Sequence, residues 1–193
     1  MVLPQQWKRL EGTGYGQRQP LLLGNLRVGA GGVWLTDLDR WLAAQLGEAL
    51  PPALGNDMSP QAVAERLLHW AAAVQRWCHL PVFGMGRVLA TNPVQADEFL
   101  VALPYASPHA ATEALRCVAH WLQHAAEQGH IDALAAPLQG MVERLRPFQV
   151  GTVNDYWFAA AAAQSKVPVS RVTPGTFAYG HGRRARWLAS ALT

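Results

Sequence analysis

The chain has 193 residues, of which 50% are hydrophobic and only 15% charged, with a formal net charge of +3. That composition excludes a disordered polyelectrolyte, and the length suits one domain, or two small ones, built on a hydrophobic core. Two cysteines exclude a disulfide-built scaffold, so Cys78 and Cys117 read as reduced thiols.

The first twenty residues, with Gly12, Gly14, Gly16 and Pro20, read as a loose leader with room for a short strand. Leu21 to Val28 reads as a buried strand, stopped by Gly29-Ala30-Gly31-Gly32. Thr36 or Asp37 is the expected cap of a helix carrying Leu38, Trp41, Leu42 and Leu46, ended by Gly47 and Pro51-Pro52. Ser59-Pro60 is a second start signal, because the hydroxyl accepts an orphan amide hydrogen bond and proline suits the first turn. The helix behind it stripes Val63, Leu67, Trp70, Ala71, Val74, Trp77 and Cys78 along one side and places Glu65, Arg66, His69 and Arg76 opposite. Pro81 closes it.

Two extended runs, Val82 to Ala90 and Phe99 to Leu103, read as an antiparallel hairpin. Ser107-Pro108 opens a second long helix with Ala111, Leu115, Val118, Leu122 and Ala125 as its buried stripe, ended by Gly129. A third helix runs from Ile131 to Leu145, with Pro137 near its start and Pro147 beyond its end. After Val150 the composition changes. Thr152 or Asn154 caps an alanine-rich helix from Tyr156 to Gln164, Val167 to Val172 and Thr176 to Tyr179 read as strands around Pro174-Gly175, and an arginine-rich end follows. The expected fold is α+β: a body at 1–149 with a small antiparallel sheet and packed long helices, then a short α/β segment at 150–193. No uncharged run reaches the roughly 18 strongly apolar residues of a membrane span, and no secretory signal is visible, so a cytoplasmic protein is expected.

Several constellations carry chemistry on paper. Gly29, Gly31 and Gly32 follow a strand and precede a helix, but their spacing matches neither phosphate-loop pattern and no lysine follows. Ser107, Ser170 and Ser190 stand outside any nucleophile-elbow motif. Glu113, Cys117, His120 and His124 fall within about 60° of one another around a helix, opposite Leu115 and Leu122. They outline a zinc site only if another element supplies a ligand, and a small metal-dependent enzyme using His120 and His124 is one reading. Arg183, Arg184 and Arg186, with His181 and Trp187 among them, suit phosphate or carboxylate, whereas nucleic acid calls for a broader basic surface than +3.

The run Lys166-Val167-Pro168-Val169-Ser170-Arg171-Val172, followed by Tyr179-Gly180-His181-Gly182-Arg183-Arg184-Ala185-Arg186 and on to Thr193, resembles a junction in cyanophycin synthetase and related ATP-grasp amino-acid ligases. Gly180, Gly182, Arg186 and Thr193 match the family pattern, while Ala185 stands where glutamine is common. The Arg87 to Leu103 hairpin and the Ser107 to Gln128 helix are similar to the later half of the family's N-terminal domain. The resemblance implies a non-catalytic domain that holds a polar amino-acid or peptide substrate and has no cofactor of its own. ATP and magnesium belong to an ATP-grasp module, expected beyond Thr193 in the same chain or on a separate subunit. It also implies a charged docking surface, supplied either by Arg66, His69 and Arg76 or by Arg183, Arg184 and Arg186. A homo-oligomer fits this reading. A stand-alone adaptor that recruits a partner through its long helices is the other alternative.

Overall fold

The computed structural model describes residues 1–11, 14–54, 58–128, 134–149, 152–173, 176–180 and 182–189. Among them the chain is mixed α and β, with five α-helices and two small antiparallel sheets. Strand β1 (Lys8–Leu10) realises the short strand of the leader and pairs with β2 (Leu21–Arg27). β3 (Arg87–Thr91) and β4 (Glu98–Pro104) complete the first sheet in the order β1-β2-β4-β3. Alternation sets its faces: Leu22, Leu26, Phe99, Val101 and Leu103 enter the core, while Asn25, Arg27 and Leu100 are exposed.

Four helices belong to this first region: α1 (Trp34–Leu46), α2 (Pro60–Trp77), α3 (Pro108–Gln128) and α4 (Ala135–Leu145). Ser59 caps α2 as expected, its hydroxyl accepting from the Ala62 amide at 3.3 Å. The predicted stripe of α3 is buried throughout, and Trp70 and Trp121 are fully buried in the same core. α1 departs from expectation. It starts at Trp34, after Val33 and with no side-chain cap, so Asp37 lies in the first turn and pairs with Arg40. The strand expected from Val82 is confined to Arg87–Thr91, because the preceding residues bond to side chains of the leader rather than to a neighbouring strand. The expected starts or stops at Gly129, Ile131 and Pro174-Gly175 lie outside the described residues. Among those residues, no helix is long and apolar enough to cross a membrane.

The second sheet, with α5 (Val153–Gln164), forms a smaller region whose core joins Ala159, Val169 and Phe177. Its strands are β5 (Val169–Thr173), β6 (Thr176–Tyr179) and β7 (Arg186–Ala189), in that order. β7 was not expected from the arginine-rich end. Thr152, not Asn154, caps α5 in a reciprocal box: its hydroxyl accepts from the Asp155 amide at 3.2 Å, and the Asp155 carboxylate accepts from the Thr152 amide at 3.0 Å.

Candidate functional site

A cleft of about 600 Å³ opens where the two regions meet. One wall comes from the leader. Gly14 and Gln17 exchange backbone hydrogen bonds around Tyr15 and Gly16, both with positive φ, which makes a tight turn and sends the chain back extended. Residues 17 and 19 then point to one side and residue 18 to the other. Gln17 donates to the Met85 carbonyl at 2.7 Å and Gln19 to the Pro81 carbonyl at 2.6 Å. The Gln19 amide oxygen accepts from the Phe83 and Gly84 amides at 2.7 and 2.8 Å. These two buried amides thus satisfy backbone groups that no strand partner serves. Arg18, pointing the other way, donates to the Lys166 carbonyl at 2.6 Å and ties the leader to the end of α5.

The opposite wall is α5. Tyr156 packs edge-on against His79 and at a tilt against Phe83, with ring centroids 5.6 Å apart in both pairs. Burial pushes its hydroxyl pKa up, an effect that nearby Arg76 opposes and Glu48 reinforces. Trp157 also lines the cleft and remains 63% exposed, while Ala160 and Ala163 leave room beside it. Gln164, Arg18 and Lys166 complete the polar lining, and no carboxylate belongs to it among the described residues. The cleft therefore offers two cations, amide groups and an aromatic face. That is a setting for an anionic or peptide-like ligand.

No protein-family model matches this chain, and no curated protein matches it.

The residues singled out from sequence are distributed differently. Arg66, expected on a solvated helix face, is only 6% exposed. Its Nε lies 2.8 Å from Asp39, and its guanidinium donates to the Pro52 carbonyl. Trp70 donates to the same carboxylate at 2.7 Å. Burial pushes the Asp39 pKa up, and the bond from Trp70 and the charge of Arg66 pull it back in part. His69 sits against Trp70, with its Nε2 buried and unbonded among the described residues. Burial, with the charges of Arg76 and Arg66, lowers its pKa to about 4, so it carries no positive charge near neutral pH. Arg76 is held by Glu48 at 2.7 Å and is the member of the trio whose charge reaches the cleft, through Tyr156. The sequence places these three on one docking face. The structure uses the two arginines as internal ties of α2 and packs His69 against Trp70.

Cys117 is likewise buried rather than on an open helix face, because α4 covers it. Arg144 donates to its sulfur at 3.1 Å and pairs with Glu113 at 3.0 Å. Burial raises the thiol pKa against the pull of Arg144. His120 is exposed and His124 half-buried, and among the described residues no three His, Cys, Asp or Glu side chains gather to hold a metal ion. Arg183, Arg184 and Arg186 are exposed on a tight turn and on β7. Gly180 and Gly182 have φ of 91° and 54°, the left-handed backbone that favours glycine. Thr193 and His181 lie outside the described residues.

Sequence reasoning missed Gln17, Arg18, Gln19, Trp157 and Lys166. The available signal was the alternation of Gln17 and Gln19 directly after a glycine-rich turn.

Proposed function

We propose that this chain is the substrate-holding N-terminal part of a cyanophycin-synthetase-like ATP-dependent ligase. The observation that carries the reading is the succession α5, β5, β6, turn, β7. Two motif glycines, Gly180 and Gly182, stand at left-handed positions in that turn, and motif Arg186 opens the returning strand opposite Tyr179. The family pattern thus coincides with a local backbone need, since other residues are strained there.

In this reading the cleft receives a polar peptide. Arg18 and Lys166 attract its carboxylates, Gln164 meets its amides, and Trp157 covers one face. ATP and magnesium, held by an ATP-grasp module in the same polypeptide or on another subunit, supply the activation of the carboxylate. The chain's own residues bind and orient.

Calorimetric titration with a short aspartate-rich peptide tests this. Binding near 0.1–1 mM is expected as an order of magnitude, weakened about fivefold in Arg18→Ala/Lys166→Ala and to a similar extent for the corresponding asparagine peptide. ATP turnover by the purified chain, or equal binding of the two peptides, would overturn it. So would a reading frame that continues past codon 193 into sequence unrelated to ATP-grasp with no such gene beside it.

A further inference from the structure

Strand β7 is an edge of its sheet, and each of its four residues is exposed. Trp187 is 68% and Leu188 49% exposed, although they stand directly across β6 from buried Ala178 and Phe177. The sheet's apolar strip therefore runs outward on both faces and, among the described residues, stops uncovered. Edge strands in folded proteins are usually protected by brevity, charge or a covering element. This one is four residues long and bears Arg186, with Arg183 and Arg184 in the turn just before it, so its charge guards it against basic strands but not against acidic ones. None of the three has an ion-pair partner among the described residues. Residues 150–193 contain five Lys and Arg against one acid, whereas residues 1–149 contain eleven against twelve, so the chain's whole positive excess lies in this region.

We infer that the open edge of β7 is a strand-addition site for an extended, acidic and aliphatic segment of a partner protein. Such a segment pairs its backbone with the N–H and C=O groups on the outer edge of β7. Its alternate side chains cover Trp187 and Leu188 on the two faces, and its carboxylates meet the three arginines. A second copy of this chain fits the edge less well, because antiparallel pairing of two β7 strands sets each Arg186 opposite Ala189 and leaves all the arginines without an acidic partner. A single nucleic-acid strand matches Trp187 by stacking but leaves the strand's backbone groups unpaired. The inference stands apart from the ligase reading, since it rests on the edge and its charges and not on the cleft.

The test uses fluorescein-labelled peptides of about eight residues, alternating Glu-Val or Lys-Val, read by anisotropy and by hydrogen exchange. The Glu-Val peptide should bind and slow exchange at Arg186–Ala189. Affinity should drop about tenfold with Arg183→Glu/Arg184→Glu/Arg186→Glu, and that variant should prefer Lys-Val. Trp187→Ser, also at an exposed position, should weaken binding without changing the charge, and circular dichroism checks that both variants keep their fold. Indifference to peptide charge, protection away from β7, equal competition by oligothymidylate, or self-association abolished by Trp187→Ser would overturn the assignment.

Discussion

In residues 1–149 the large side chains Trp70 and Trp121 are fully buried between helices, whereas in residues 152–189 Trp157 and Trp187 face solvent. The charges divide the same way: the ion pairs from Arg27–Asp97 to Arg146–Glu143 lie in the first region, and the arginines of the turn and β7 have none among the described residues. A sheet packed by four helices can satisfy its own polar and apolar groups. A three-stranded sheet with one short helix cannot enclose enough surface to do so. The smaller region is therefore held by its attachment, through Arg18, Tyr156 and Phe83, and it presents what it cannot bury.

The widest separation between the regions should come from matched truncations. Trp121→Ala is expected to cost about 3–5 kcal/mol of global stability in urea unfolding. Phe177→Ala should leave the main transition nearly in place and accelerate hydrogen exchange in α5 and β6 instead. Equal losses would break the comparison. Next in size is the buried pair of α1 and α2. Asp39→Asn leaves the Arg66 charge without its counterion at a cost of about 3 kcal/mol, and Asp39→Asn/Arg66→Met should recover most of it, since no buried charge then remains and the amide oxygen introduced at position 39 still accepts from Trp70.

A pH scan probes the first region through His69. Its folded pKa of about 4 lies below the ordinary 6.5, so the unfolded chain takes up a proton that the native state refuses. The stability contribution is intact above pH 6.5 and is lost as pH falls toward 4, by about 2–3 kcal/mol. The raised pKa of Asp39 works in the opposite sense, so the informative quantity is the difference from His69→Gln, whose profile should lack this loss. Coinciding profiles would mean that His69 is as easily protonated folded as unfolded.

Most of the first region was legible because its signals are local and periodic. Ser59-Pro60 marks a helix start by hydrogen-bond need, and the stripe from Ala111 to Ala125 marks a buried face by its spacing. Failures came where a distant partner decides. Arg66 lies off the apolar stripe by angle, yet Asp39 and the Pro52 carbonyl compensate its burial. Cys117 looked open until α4 covered it. The cleft was the least legible feature, since Gln17, Arg18 and Gln19 act on backbone groups more than sixty residues away. The ends of α2 and α5 fall where expected, at Trp77 and Gln164, but the residues that turn the chain there were not foreseen. α1, α2 and α5 each finish with an amide that reaches five residues back, from Glu48, Leu80 and Val167, but His79 and Lys166 stand at the left-handed position that Gly47 occupies in α1.

That last observation supplies the finest test of the comparison. At the end of α5, Val167 and Lys166 donate back to the Ala162 and Ala163 carbonyls at 2.8 and 3.0 Å, with Lys166 held at φ 60°. A side chain there costs about 1 kcal/mol relative to glycine. The Lys166 carbonyl that accepts from Arg18 is backbone, so Lys166→Gly retains the tie between the regions while relieving the strain. At His79 the same change would also remove the ring that meets Tyr156, so its gain should be smaller. If the smaller region opens on its own, Lys166→Gly should slow hydrogen exchange in α5 about fivefold and leave the global urea midpoint unmoved. A midpoint raised by the full amount would show instead that both regions unfold as one unit, and that the exposed tryptophans belong to a cooperative fold.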